Sequence, residues 1–290
     1  MVSKEEKHMI VRGKDGYLFQ TDEFIFQRLS GETNLTPEDL GEWNIELAKR
    51  KQITVNSGGK YLLFVVPERH VIYHEFLPNG ITVSDDRPIM RLLKSSSGEC
   101  ILYPDGSMQA GRKLAEPYPK GGSHWNGWGA YIGYRSICRR LDLIPDPSDC
   151  FEWTHDPVPG GCDLDERLSE PIRPYSMFKK KFSHGRCVFD NTIWTMGNLK
   201  VFKNSNENLP TLVLFRDSFS MIMLPLLAES FSRIVAVAAG PFYRDIVESE
   251  RPDFVITEIA ERWITTTLAD KPKSSTEDCC QVSLQKVSEI

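Results

Sequence analysis

Residues 211–260 read TLVLFRDSFS MIMLPLLAES FSRIVAVAAG PFYRDIVESE RPDFVITEIA. Three runs in this stretch, Thr211–Phe215, Arg233–Ala238 and Asp253–Ile259, have the length and the β-branched or aromatic content of strands. Between them, Phe219–Phe231 and Tyr243–Ser249 have helical length and composition. Regular strand–helix alternation predicts a parallel sheet with helices on both faces, an α/β fold.

Upstream, Tyr61–Val66 is a continuous apolar run stopped by Pro67, as expected of a strand buried on both faces. A helix is predicted over Pro37–Lys51. Thr36 is placed to cap it, Pro37 sits at its first position, and Glu38 and Asp39 suit its positive end. Leu40, Trp43 and Leu47 form its buried stripe. Ile10–Arg12 and Tyr17–Phe19 flank Lys14-Asp15-Gly16 and read as a hairpin. Helices are expected at Pro88–Ser95, Ser107–Ala115 and Asn126–Leu141, with a short strand at Cys100–Tyr103. Tyr131, Tyr134, Ile137, Cys138 and Leu141 share one side of the third helix. Arg186–Phe189, Ile193–Thr195 and Leu199–Phe202 are candidates for two or three more strands. Residues 142–174 hold six of the 18 prolines and read as an irregular insertion. From residue 269 the chain turns polar. The expected layout is one domain over 1–268 and a polar tail over 269–290.

Composition narrows the function. Forty per cent hydrophobic and 26% charged residues are values of a folded chain. A formal net charge of -5 argues against nucleic acid as a partner. No apolar run approaches the ~18 residues of a membrane span. The first residues, MVSKEEKHMIVRGKDG, have no apolar core of a secretory signal, so a cytoplasmic location is expected of the sequence as it stands. Seven scattered cysteines are expected to be free thiols. No P-loop or dinucleotide fingerprint occurs, and no cofactor is expected.

Ser218 falls where a strand ends and a helix begins, the edge at which open α/β sheets bind ligands. Its hydroxyl is either exposed to a crevice as a nucleophile or spent capping the helix. Among six histidines, only His124 lies in a dense polar-aromatic cluster, Gly121-Gly-Ser-His-Trp-Asn-Gly-Trp-Gly129. Glycines on both sides would let the backbone bring an imidazole close to another group. The alternative is a histidine satisfied by a backbone carbonyl. His70 and His74 have the spacing of metal ligands on a helix, but nothing completes a zinc motif, and no metal site is expected. Cys279-Cys280 are read as inert.

Six blocks, in order from about Val11 to Arg262, resemble the alginate O-acetyltransferase group of the AlgJ and AlgX type, a branch of the SGNH hydrolase superfamily. They are Gly13–Phe19, Val65-Val-Pro67 with Ile72-Tyr73 and Leu77-Pro78, Ser123-His-Trp-Asn126 with Gly129-Ala130, Gly161–Leu164, Leu214–Phe219, and Pro252-Asp253 through Glu261-Arg262. The resemblance implies an SGNH hydrolase-like parallel sheet with permuted motif order, the histidine block preceding the serine block. It also implies acyl transfer through Ser218 as nucleophile and His124 as general base. Asp217, Arg216, Ser123, Trp125 and Asn126 would support them. The partners would be a carbohydrate acceptor and an acetyl donor, with hydrolysis as an acetylesterase the related outcome. The relatives are exported.

Two positions depart from that pattern. The triad aspartate is replaced by Gly122, and in serine proteases loss of that role costs about four orders of magnitude in kcat. Either Asp105, Glu116, Asp156 or Asp163 serves instead, or a Ser–His dyad works with a carbonyl, or the domain is inactive. Arg216 stands where many SGNH enzymes have glycine, and is open to two readings, a ligand-binding arginine or a surface ion pair. The competing reading of the whole chain is a degenerate domain that binds carbohydrate through Trp125, Trp128, Tyr131 and Trp153, or serves assembly.

Overall fold

The computed structural model describes residues 9–21, 24–154, 163–164, 177–180, 184–193, 196–238 and 242–265. The expected tail at 269–290, with Cys279 and Cys280, lies outside them, as does most of the 142–174 insertion.

The chain opens with the expected hairpin, β1 (Met9–Arg12) antiparallel to β2 (Leu18–Thr21). Asp15 and Gly16 take positive φ values of 51° and 78° in its turn, a conformation that Asp-Gly adopts readily. A short helix unread in the sequence follows, α1 (Ile25–Ser30). Next comes α2 (Pro37–Asn56), which runs beyond the expected end. The Thr36 hydroxyl accepts from Asp39 N, and Asp39 returns a bond to Thr36 N, a complete capping box.

The remaining elements, in order, are β3 (Lys60–Val66), α3 (Arg69–Ile72), α4 (Pro88–Leu93), β4 (Ile101–Leu102), α5 (Asp105–Arg112), α6 (Gly127–Arg140), β5 (Phe151–Thr154), β6 (Met177–Lys180), β7 (Gly185–Asp190), β8 (Leu199–Asn204), β9 (Thr211–Arg216), α7 (Ser220–Leu227), β10 (Arg233–Ala238), α8 (Arg244–Glu250) and β11 (Phe254–Ala260). The helix expected at Phe219–Phe231 is thus shorter at both ends. Of the two or three extra strands expected, β7 and β8 form. Ile193 lies in a loop, and residues 194 and 195 lie outside the described residues.

The central sheet has seven strands in the order β4-β3-β11-β9-β10-β8-β7. β4, β3, β11, β9 and β10 are parallel, as the alternation predicted. β8 runs antiparallel to β10 and β7 antiparallel to β8, so the sheet is mostly parallel. The physical reason is local. β7 and β8 are consecutive strands joined through residues 191–198, fewer than the dozen or more that a parallel crossover needs.

Alternation within the strands supplies both faces. Leu62, Phe64, Val66, Leu212, Leu214, Ile234, Ala236 and Ile256 pack on one side with residues of α6 and α7. Tyr61, Leu63, Val65, Val213, Phe215, Val235, Val237 and Val255 pack on the other with residues of α2, α4 and α8. β3 is buried along its whole length after Lys60. Among the described residues, no helix is long and apolar enough to cross a membrane. The cysteines among them, Cys100, Cys138, Cys150 and Cys187, are free.

Candidate active site

β3, β11 and β9 are neighbours, and their C-terminal ends lie side by side. Ser218 sits two residues past the end of β9 and is exposed. It does not cap α7. The N-cap position is Phe219, and no side chain caps there. The Ser218 hydroxyl instead lies 2.7 Å from His124 Nε2. Ninety-four residues separate the two in sequence, and the fold closes that gap to a hydrogen bond.

The loop carrying Ser218 is braced from below. Asp217 accepts from Phe219 N at 2.8 Å and from Ala260 N at 2.7 Å, which ties the end of β9 to the end of β11. Asp217 N and the Ser220 hydroxyl both donate to Glu258 Oε2, at 3.1 and 2.6 Å. Glu258 is fully buried in the middle of β11, and burial followed by the charge of Asp217 pushes its carboxyl well above the usual range. Beneath the loop it therefore holds its proton to higher pH than an ordinary glutamate. The sequence reading missed it, although a glutamate inside the apolar run 254–260 was the available signal.

Arg216 fits neither sequence reading. It is 4% exposed, with one end donating to Asn198 Oδ1 and the other to Asp217 O at 3.1 Å. It is neither a surface ion pair nor open to a ligand. Its place at the end of a core strand turns it inward.

The His124 loop is held differently. Gly121, Gly122 and Gly127 do not take positive φ, so the loop does not depend on left-handed glycine backbone. Hydrogen bonds fix it. Arg69, buried at the start of α3, donates to Gly122 O and, at 3.1 Å, to Lys120 O. Leu18 N reaches Lys120 O at 2.9 Å, and Leu164 N reaches Gly121 O at 3.0 Å. Asn126 is the N-cap of α6, its Oδ1 accepting from Trp128 N and Gly129 N. Trp125 is 1% exposed and donates from Nε1 to Phe219 O at 2.9 Å, joining the His124 loop to the Ser218 loop. Gly133 lets α6 pass close to that indole, since a Cβ there would fall 2.9 Å from a ring atom, and a Cβ at Gly129 would fall 2.5 Å from Pro117 O.

His124 does not rest on a carbonyl. Its Nδ1 lies 3.0 Å from Ser123 Oγ. The Ser123 hydroxyl donates to Asp163 Oδ2 at 2.6 Å, and Ser123 N donates to Asp163 Oδ1 at 2.7 Å. Burial pulls the His124 imidazole below its usual pKa, opposed by Asp163. A lowered value keeps the ring neutral at pH 7, the state a general base requires.

Of the candidate acids among the described residues, Asp163 alone is brought to this chain of contacts. Asp105 begins α5, Glu116 accepts from the Tyr17 hydroxyl, and Asp156 lies outside the described residues. His70 is buried against Gln20 O, and His74 points to Val71 O, so the pair does not converge. Among the described residues, no group of three or more His, Cys, Asp or Glu side chains could hold a metal. Trp125, Trp128 and Tyr131 are all buried, which removes them as exposed sugar-stacking platforms. The side chain of Trp153 lies outside the described residues.

Beneath the site, Glu68 and Arg262 form a two-pronged pair at 2.7 and 3.1 Å. Burial alone would raise the Glu68 carboxyl, but Arg262 and His70 overcome it and hold the carboxyl at about 2. The closing Glu261-Arg262 segment thus anchors the end of β11 to the turn after β3.

Residues 10–150 match the family model described as ALGX, SGNH hydrolase-like domain, acetyltransferase AlgX. That span includes the His124 block and ends before Ser218. No curated protein matches the chain. Three solved structures share its fold. A DHHW family protein from Eubacterium siraeum DSM 15702 is 13% identical, over 94% of this chain and 98% of that one, with a TM-score of 0.61. Bacillus cereus PatB1 with a sulfonyl adduct is 14% identical, over 89% and 96%, with a TM-score of 0.64. The O-acetyltransferase domain of Pseudomonas putida AlgJ is 16% identical, over 96% and 100%, with a TM-score of 0.57. The chain therefore resembles the AlgX-type SGNH hydrolase-like domain in sequence over residues 10–150, and shares the fold of PatB1 and the AlgJ domain over nearly its whole length.

Proposed function

We propose that this chain is a carbohydrate O-acetyltransferase, with acetylester hydrolysis as its side reaction, acting through an acetyl-Ser218 intermediate. The observation that carries the proposal is the 2.7 Å contact between Ser218 Oγ and a partly exposed His124 Nε2 at the C-terminal edge of the sheet. A nucleophile and a base within hydrogen-bond reach, the base held by a third group, is the arrangement that acyl transfer needs. The likeness to an acetyltransferase family supports acetyl as the group transferred, and the likeness to the O-acetyltransferase domain of AlgJ supports transfer to oxygen.

In the first half-reaction, Ser218 Oγ attacks the acetyl carbonyl carbon while its proton passes to His124 Nε2. The tetrahedral intermediate collapses, the bond to the donor's leaving group breaks, and that group takes the proton from His124. In the second, an acceptor hydroxyl gives its proton to His124 and attacks acetyl-Ser218. The acetyl group leaves on the acceptor, and Ser218 Oγ regains its proton. Water in place of the acceptor gives hydrolysis. Ser218 N–H, just ahead of the first turn of α7, is suited to the negative oxygen formed in each step. Among the described residues it donates to no protein acceptor, whereas the next N–H is taken by Asp217.

A chromogenic acetyl ester and a serine-directed phosphonate test this reading together. Parent protein should turn over the ester and take one phosphonate. Ser218→Ala should lose both, and His124→Ala should slow both. A folded parent that does neither would remove the proposal.

A further inference from the structure

We infer that Asp163 replaces the aspartate absent at position 122, acting through the hydroxyl of Ser123 as an intermediate link, so that both are positioning residues for His124. The inference rests on the proposed Ser218–His124 chemistry and supplies the acid which that chemistry otherwise lacks.

The geometry fixes the direction of every proton in the chain. A carboxylate has no proton to give, so Asp163 accepts from Ser123, whose hydroxyl has one hydrogen. That hydrogen is committed at 2.6 Å. Ser123 Oγ therefore meets His124 Nδ1, 3.0 Å away, as an acceptor, and Nδ1 must carry the ring hydrogen. Nε2 is then the bare nitrogen, and the Ser218 hydroxyl donates to it. One carboxylate thus selects, two links away, the tautomer that can deprotonate the nucleophile.

Direct contact does not explain the arrangement. Asp163 Oδ2 lies 4.0 Å from His124 Nδ1, beyond hydrogen-bond range, while Ser123 stands between them with good distances on both sides. The second carboxylate oxygen is used as well, taking Ser123 N–H, so Asp163 grips the residue next to the base by both backbone and side chain. Leu164 N on Gly121 O holds the Asp163 segment against this loop. The groups whose charge reaches His124 are Asp163, Asp217 and Glu68, which favour imidazolium, and Arg262, which opposes it. Asp163 is foremost among these charges and is the one joined to Nδ1 through a hydroxyl.

The test uses the full chain and separates this inference from the reading beneath it. Two readouts are taken on the parent, Ser123→Ala, Ser123→Thr and Asp163→Asn. One is the NMR titration and tautomer of the His124 ring, assigned by its loss in His124→Ala. The other is the rate of phosphonate modification of Ser218 against pH. Ser123→Ala keeps the backbone bond to Asp163 and removes only the link. The expected result is a mixed His124 tautomer and modification at least about tenfold slower at pH 7. Ser123→Thr, which restores a hydroxyl, should return the rate to near the parent's. In Asp163→Asn the His124 titration should move to lower pH, because an anion that favours imidazolium is gone, and the acid limb of the rate profile should move with it. Ser123→Ala with parental tautomer and parental rate would overturn the inference, even if Asp163→Asn is slow, since Asp163 would then only be holding the loop. If Ser218 resists modification in every variant while the His124 tautomer and titration change as stated, the relay stands and the nucleophile assignment falls.

Discussion

The two loops that meet at the site are built in opposite ways. The Ser218 loop continues a core strand. Its braces, Asp217, Glu258 and Ala260 N, come from the same sheet, and its support is the packing order of β9 beside β11. The His124 loop has no strand beneath it. It is pinned by Arg69 from the turn after β3, by Leu18 from the hairpin, and by the Asp163–Leu164 segment. Ser218 is placed by topology, whereas His124 is placed by long-range polar contacts. One expects the His124 loop to be the weaker half, because losing one partner leaves a buried polar group unpaired.

The largest effects fall on the contact itself. Under the proposed mechanism, Ser218→Ala abolishes ester turnover and His124→Ala lowers kcat by about 10³-fold or more, with unfolding midpoints unchanged. Steady-state kinetics beside thermal melts would check both halves of that statement.

Arg69→Met probes the His124 loop alone. It removes two charge-assisted bonds to Gly122 O and Lys120 O. Turnover is expected to fall about 10²-fold, the usual penalty for misplacing a base by about 1 Å, with stability lower by a few kcal/mol. If Arg69→Met were as active as the parent, the contrast drawn between the two loops would collapse.

Glu258→Gln probes the Ser218 loop through pH. The folded carboxyl holds its proton to higher pH than the unfolded one, because of burial and then Asp217. Between the two values the native state binds more protons, so parent stability falls as pH rises above the ordinary glutamate range. The glutamine variant lacks that loss. Its melting temperature relative to the parent should therefore climb as pH rises above the ordinary glutamate range. A constant offset over that rise would mean that Glu258 is ionised in the folded protein.

Trp125→Phe is the mildest change and touches both loops at once. It loses the bond from Nε1 to Phe219 O while keeping most of the packing against Phe64 and Phe219. A cost of about 1 kcal/mol is expected, read by denaturant unfolding.

What the sequence disclosed divides along the same line. The strands Thr211–Arg216, Arg233–Ala238 and Phe254–Ala260 were legible because apolar runs and helix spacing encode a buried parallel sheet directly. Ser218 was legible because it ends one of those strands. His124 stood out by its cluster, and the resemblance paired it with Ser218. The orientation of β7 and β8 was not legible, since strand pattern does not state direction. Arg216 was misread because its polarity suggested a surface, while the fold turns it to Asn198. Asp163 could be named as a candidate but not chosen, because no local pattern links it to a serine 40 residues away. Arg69 was missed for the same reason, and Glu258 was missed although it interrupts an apolar strand. Their partners are brought by tertiary packing.

The central claim is that Ser218 is a nucleophile activated by His124, and protein mass spectrometry after reaction with a fluorophosphonate at pH 7 tests it most directly. The account predicts one adduct per chain, mapped to Ser218, absent in Ser218→Ala and formed much more slowly in His124→Ala. A folded parent that stays unmodified, or an adduct that forms equally fast without His124, would contradict it.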